Sequence, residues 1–159
     1  MRVLDRLTYA GSLERIDPKL RQSPHFTFIS GEVMDRTIVK EAVKGSDVIV
    51  HYAAESHVAY SFLNANLFTQ FNVHGTSIIC ETVVKIPVEK FILISSSEVY
   101  GTAKRPLMSE THPTDPTTVY GMIKLIVEQY TRYFHAHENL STIIIRPFNT
   151  YGPRSHFDG

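Results

Sequence analysis

Residues 90–101 read KFILISSSEVYG, and this stretch decides the fold. A short apolar run passes directly into hydroxyl groups and a carboxylate, as expected where a buried parallel strand ends at a ligand site. Similar runs predict strands at residues 2–5, 26–30, 47–52, 90–95 and 141–146. Stretches of helical period lie between most of them. The sequence therefore predicts an α/β fold, a doubly wound parallel sheet with helices on both faces.

Two segments have the apolar spacing of long helices. Between residues 67 and 84, and again from Val119 onward, apolar side chains recur at steps of three and four residues. Residues 101–118 contain three prolines among polar residues, which predicts a loop of unusual length for a compact domain. Loops of this length often carry function, so we expect this one to border the site.

Composition limits the possible classes of function. A chain of 159 residues with 16 basic and 16 acidic side chains predicts one domain, residues 1–159, without a charge field that would attract nucleic acid or a membrane. The single cysteine, Cys80, excludes an internal disulfide, and the histidines lack the spacing of a metal site. No apolar run reaches the roughly 18 residues of a membrane span. We therefore expect a cytoplasmic protein that holds its ligand in a shaped pocket.

Tyr120 and Lys124 are the first candidates for chemistry. A four-residue step places both side chains on one face of a helix, one turn apart. A phenol has a pKa near 10, and an adjacent ammonium group stabilises its phenolate form. The pair could therefore act as a base, although tyrosine and lysine also occur at this spacing on solvated helices.

Five motifs in order carry a resemblance to a known family. They are LDRLTYAG at 4–11, HYAAESHV at 51–58, SSSEVYG at 95–101, YxxxK at 120–124 and RPFNTYGP at 146–153. Together they resemble the extended short-chain dehydrogenase/reductases, in the branch of NAD-dependent epimerases and dehydratases that act on nucleotide-activated sugars. The sugar-nucleotide dehydratases similar to dTDP-glucose 4,6-dehydratase match best. The resemblance implies a Rossmann-like fold and an NAD-dependent enzyme, a lyase.

The resemblance also implies catalytic roles. Tyr120 would remove the proton of the sugar O4 hydroxyl, and Lys124 would lower the pKa of Tyr120 and hold the nicotinamide ribose. Ser96 would bond the same O4 oxygen, and Asn149 would contact the substrate near its phosphates. Glu98 would take the C5 proton after C4 becomes a ketone.

Ser97 departs from the dTDP-glucose pattern, which has an aspartic acid at this position to protonate the departing C6 hydroxyl. Either Glu98 serves both steps, or water does, or the reaction is not this elimination. UDP-glucuronate decarboxylases resemble the serine form, so a decarboxylase stays open as an alternative. A nucleotide-hexose 4-epimerase is a further alternative, although the carboxylate of Glu98 argues against it.

A carboxylate at the end of a strand indicates the cofactor. Asp5 can accept hydrogen bonds from both adenine-ribose hydroxyls and repel a 2′-phosphate, which predicts NAD rather than NADP. Arg6 beside it weakens that preference. The resemblance adds further cofactor contacts around the adenosine and the pyrophosphate. These residues are Leu7, Thr8, Glu32, Val33, Tyr52, Ala53, Ala54, Ser56, Tyr120 and Lys124.

The glycine-rich GxGxxG turn of this fold is not in the chain, which by its motifs begins at the second strand of the family pattern. We therefore expect a partial NAD-binding domain without a substrate domain, whose first two strands are separated from the others. Such a chain would bind NAD weakly or not at all and would have no turnover. A non-catalytic Rossmann-type binding protein and a truncated gene product stay open. The resemblance implies a homodimer through the two long helices.

Overall fold

The computed structural model describes residues 1–152, within which five strands form two parallel sheets. The strands are β1 (Arg2–Asp5), β2 (Thr27–Ser30), β3 (Val48–His51), β4 (Lys90–Ile94) and β5 (Thr142–Ile145). β1 pairs with β2, while β3, β4 and β5 form the second sheet in that order. All five predicted strands are confirmed to within one residue at each end, and so is the separation of the first two strands from the others.

Helices connect these strands. They are α1 (Pro18–Arg21), α2 (Arg36–Val43), α3 (Val58–Leu63), α4 (Ala65–Phe68), α5 (Gly75–Lys85) and α6 (Val119–Glu138). Two 3-10 turns occupy Leu13–Arg15 and Ser97–Tyr100. Helix α6 begins at a Thr118 cap, whose hydroxyl oxygen accepts a hydrogen bond from the N–H of Gly121 at 2.9 Å. The loop predicted at residues 101–118 is confirmed.

The helix predicted over residues 67–84 is not continuous. A π-helical segment, Thr69–His74, separates α4 from α5. Its Asn72 bonds the backbone of Glu55 in both directions, accepting at Oδ1 from the Glu55 N–H and donating from Nδ2 to the Glu55 carbonyl oxygen. Wider π turns are frequent at functional sites, and here the segment carries a side chain that fixes the loop after β3.

One face of the larger sheet carries the main core. Phe91 and Leu93 of β4 are almost fully buried against α5 and α6. On the opposite face, Val50 and Ile145 remain 47% and 43% exposed. Helices α2, α5 and α6 all contribute residues to the same core cluster. The α/β Rossmann-like class itself is confirmed.

Candidate active site

Polar segments follow the carboxyl ends of the parallel strands, where open α/β sheets bind ligands. Asp5 ends β1, Tyr52 follows β3, Ser95 follows β4 and Arg146 follows β5. Arg6, just after β1, forms an ion pair with Glu55, which lies after β3. The ends of the two sheets therefore border one shared region.

The turn after β4 presents the predicted Ser96, Ser97 and Glu98. The Ser96 hydroxyl caps a 3-10 turn by accepting from the N–H of Glu98 at 3.2 Å. The carboxylate of Glu98 then accepts from the Thr118 hydroxyl at 3.1 Å. Because Thr118 also caps α6, one bond couples the predicted C5 base to the start of the helix that carries Tyr120.

Gly101 closes this turn in a backbone conformation that glycine alone adopts readily, with φ +64°. A Cβ atom there would overlap the backbone carbonyl oxygen of Asp115. The N–H of Asp115 in turn donates to the carbonyl oxygen of Val99 at 3.1 Å. Gly101 thus allows the long loop to pack directly against the turn that carries Glu98.

Tyr120 and Lys124 lie in the first turns of α6, and both are buried. Burial raises the pKa of Tyr120; the bond with the Ser96 hydroxyl lowers it, and the charge of Glu98 raises it. Burial lowers the pKa of Lys124 to about 8, against a raising influence of Glu128. The lysine Nζ donates to the carbonyl oxygen of Ile94 at 2.8 Å. Burial, Ser96 and Glu98 account for the shift of the Tyr120 pKa, so the lowering of that pKa by Lys124 remains a prediction.

An open pocket of about 530 Å³ lies beside this turn. It brings together Ser97, Glu98 and Asn149, three of the predicted site residues, from the ends of two strands. Phe148 and side chains of the long loop complete the wall, namely Thr102, Met108 and Thr117. The sequence indicated the loop but not these three residues, because loop packing leaves no periodic signal. The last residue of the RPFNTYGP motif, Pro153, lies outside the described residues.

A buried charge cluster formed by Glu128, Arg146 and Ser95 was not predicted from the sequence. The carboxylate of Glu128, fully buried on α6, accepts hydrogen bonds from the Ser95 hydroxyl at 2.5 Å and from Arg146 Nε at 2.8 Å and Nη2 at 2.6 Å. It therefore ties the ends of β4 and β5 to the helix that carries Lys124. The available signal was a glutamate one turn beyond Lys124, on the apolar face of the helix.

The residues predicted to hold NAD line the edge of the sheets. Asp5 is exposed, and its Oδ1 accepts from the N–H of Leu7 at 2.6 Å, which places Leu7 in the left-handed region at φ 52°. Most of the predicted residues after β1 and β3 are exposed, whereas those after β2 are half-buried. Exposed are Leu7, Thr8, Tyr52, Ala53 and Ser56; half-buried are Arg6, Glu32, Val33 and Ala54.

These residues fit a dinucleotide. The carboxylate of Asp5 stands at a strand end where a ribose diol can donate to it, and Ala53 leaves the backbone after β3 accessible. Within residues 1–152, no group of three or more histidine, cysteine or acidic side chains could hold a metal ion. In the same part of the chain, no helix is both long enough and apolar enough to cross a membrane.

Comparison with known proteins identifies the relatives of this arrangement. The family model described as GDP-mannose 4,6 dehydratase matches residues 1–158. The Haloferax volcanii low-salt glycan biosynthesis protein Agl12 is 36% identical over 153 residues, which cover 96% of this chain and 49% of that protein. The mouse dTDP-D-glucose 4,6-dehydratase is 34% identical, over 96% of this chain and 43% of the mouse protein. The chain thus spans about half the length of these relatives.

Solved structures show the same architecture. The DesIV double mutant, a dTDP-glucose 4,6-dehydratase from Streptomyces venezuelae solved with NAD bound, superposes with a TM-score of 0.94 at 33% identity, over 99% of this chain and 49% of that one. A UDP-N-acetylglucosamine 4-epimerase from Methanobrevibacter ruminantium gives 0.92 at 25% identity, over 99% and 50%. The fold is therefore shared by dehydratases and epimerases, so the side chains must distinguish the two activities.

Proposed function

The chain belongs to the GDP-mannose 4,6-dehydratase family, one of the NAD-dependent epimerases and dehydratases, and we propose that it carries the catalytic residues of a sugar-nucleotide 4,6-dehydratase. One observation supports this choice above others. Glu98 lines the pocket and bonds Thr118, the cap of the helix that presents Tyr120 and Lys124. A carboxylate beside the oxidising residues is what an elimination needs and what an epimerisation does not need.

The first step is oxidation of the sugar at C4. Tyr120 removes the proton of the O4 hydroxyl, and Ser96 orients that oxygen by a hydrogen bond. The Lys124 ammonium group lies 5.8 Å from the Tyr120 ring centroid, and its positive charge favours the phenolate form that Tyr120 must have before it takes the O4 proton. When bound, NAD supplies the hydride acceptor at C4 and the hydride donor at C6. Asp5, Glu32 and the segment after β3 would hold it, with NAD preferred because Asp5 repels a 2′-phosphate.

The second step is loss of water across C5 and C6. The C4 ketone acidifies the neighbouring C–H, so Glu98 can remove the C5 proton while the C6 hydroxyl leaves. The departing oxygen needs a proton, which a serine hydroxyl at position 97 supplies poorly. We propose that Glu98 returns the proton it has taken to the departing oxygen, which leaves as water, so that one carboxylate serves both sides of the elimination. When hydride is returned to C6, C5 takes a proton that comes from solvent.

We also propose that the complete protein is a homodimer and acts in the cytoplasm. The outer face of α6 exposes Met122, Ile126, Tyr130 and Tyr133, which are 39–56% exposed and border an apolar groove. Exposed apolar surface of this kind on a long helix is typical of a subunit interface. Sedimentation of the protein with and without Ile126→Glu tests the dimer.

Product analysis tests the activity. The complete protein is incubated with NAD and candidate nucleotide sugars, and the masses of the separated products are measured by mass spectrometry. A 4-keto-6-deoxy sugar, lighter by one water, supports the dehydratase, and Glu98→Gln should abolish it while Tyr120-dependent oxidation persists. Release of carbon dioxide from UDP-glucuronate would indicate a decarboxylase, and an isomer of unchanged mass a 4-epimerase. Cofactor binding without any product would indicate a non-catalytic binding protein.

A further inference from the structure

Arg6 follows directly after Asp5, at the end of β1. A guanidinium group at this position has the charge and geometry to bind a 2′-phosphate, and would thus oppose the choice of NAD made by Asp5. The contacts of Arg6 determine whether its guanidinium group is available to bind a 2′-phosphate.

Both edges of the guanidinium group are engaged by carboxylates. Arg6 Nη1 lies 3.3 Å from Glu32 Oε2, and Nη2 pairs with Glu55 Oε1. The guanidinium carbon lies 3.7 Å from the centroid of the Phe71 ring, so one face is also covered. The Arg6 side chain is 29% exposed. The group is therefore held against the protein by three partners.

Glu55 is a fixed partner. Its side chain is 8% exposed, and its backbone N–H and carbonyl oxygen both bond Asn72 of the π-helical segment, at 2.8 Å and 2.9 Å. Because backbone and carboxylate are both restrained, releasing Arg6 requires leaving a carboxylate buried without its cation. One positive and two negative formal charges also leave this cluster with an excess of negative charge, which repels a phosphate.

We propose that Glu55, assisted by Glu32, is a specificity-determining residue that holds Arg6 away from the adenine ribose and so makes the site selective for NAD over NADP. The inference rests on the proposed cofactor site at the end of β1. It assigns the selectivity to a three-residue cluster rather than to Asp5 alone.

Calorimetric titration of the complete protein with NAD⁺ and NADP⁺ tests the proposal, and the readout is the ratio of the two dissociation constants. Glu55→Gln should free Arg6 for the 2′-phosphate and shift the ratio toward NADP⁺ by about tenfold or more, the strength of one charge-assisted hydrogen bond. Glu32→Gln should shift it less, since Glu32 is 41% exposed and its contact is longer. The matched control is Glu81→Gln, which breaks the surface pair with Arg36 at 2.6 Å and should leave the ratio unchanged.

The double variant Glu55→Gln with Arg6→Ala separates release of Arg6 from a general loss of negative charge. Our proposal predicts that the ratio returns to near the wild-type value, whereas a persistent shift overturns it. An unchanged ratio in Glu55→Gln, with NAD⁺ still bound and a native circular dichroism spectrum, also overturns it but leaves the cofactor site standing. Failure of the complete wild-type protein to bind either nucleotide overturns the proposed cofactor site and this inference with it.

Discussion

Breaking the buried pair between Glu128 and Arg146 should destabilise the protein more than any surface substitution. The Glu128 carboxylate is fully buried and accepts three hydrogen bonds, two from Arg146 and one from the Ser95 hydroxyl. The Arg146 side chain is 13% exposed and also lies over the Tyr100 ring, with its guanidinium carbon 4.7 Å from the ring centroid. Glu128→Gln keeps the side-chain shape but removes the charge that compensates this guanidinium group.

The expected loss follows from desolvation. Removing one partner of a buried ion pair leaves the other charge without compensation and costs about 3–5 kcal/mol in the free energy of unfolding. Arg146→Met should cost a similar amount, because it leaves the buried Glu128 carboxylate without its cation. The double variant leaves neither charge unpaired, so its loss should be smaller than the sum of the two single losses by about 2–3 kcal/mol.

Urea unfolding followed by circular dichroism measures these losses, because the chain has no tryptophan to report unfolding by fluorescence. The control is Arg132→Met. The Arg132 side chain also lies 3.9 Å from the Glu128 carboxylate, but it is 55% exposed. This substitution should cost less than about 1 kcal/mol, as exposed pairs do. Single losses below that value, or strictly additive effects in the double variant, would refute the reasoning.

Three further predictions follow from burial and backbone geometry. His51 is buried, and its burial, with a smaller contribution from the charge of Lys124, lowers its pKa to about 3. Between that value and the unfolded pKa near 6.5 only the unfolded chain binds the proton, so the free energy of unfolding should fall as the pH falls through this window. His51→Gln should flatten the plot of unfolding free energy against pH. Gly101→Ala should lower the thermal midpoint far more than Gly45→Ala, because both glycines have positive φ but only Gly101 has a backbone carbonyl, that of Asp115, in the way of a Cβ; equal losses would contradict this. NMR titration of labelled lysine side chains should show one midpoint near 8 that disappears in Lys124→Met, since burial lowers that pKa to about 8; midpoints that all lie in the ordinary range near 10.4 would contradict it.

Much of the fold could be predicted from periodicity. The strand at Lys90–Ile94 and the helix that begins at Val119 have strong local signals. Both ends of the strand and the first residue of the helix were predicted to within one residue. The π-helical segment at Thr69–His74 was not predictable in this way, because its apolar spacing still fits a helix and its cause is a contact between Asn72 and the distant Glu55. The partial exposure of Val50 and Ile145 was not predictable either, because a strand buried on one side and a strand buried on both sides can have the same apolar run.

By itself, the sequence determined which side chains are available for the proposed chemistry. The types and order of Glu98, Tyr120 and Lys124 are local facts, since a hydroxyl, a carboxylate or an ammonium group follows from the side chain alone. Tertiary structure alone decided what those groups experience. The pKa of Lys124, the confinement of Arg6 between two carboxylates and the burial of Glu128 all depend on residues far apart in the chain, because electrostatic free energy depends on distance and solvent exposure, and folding alone sets both.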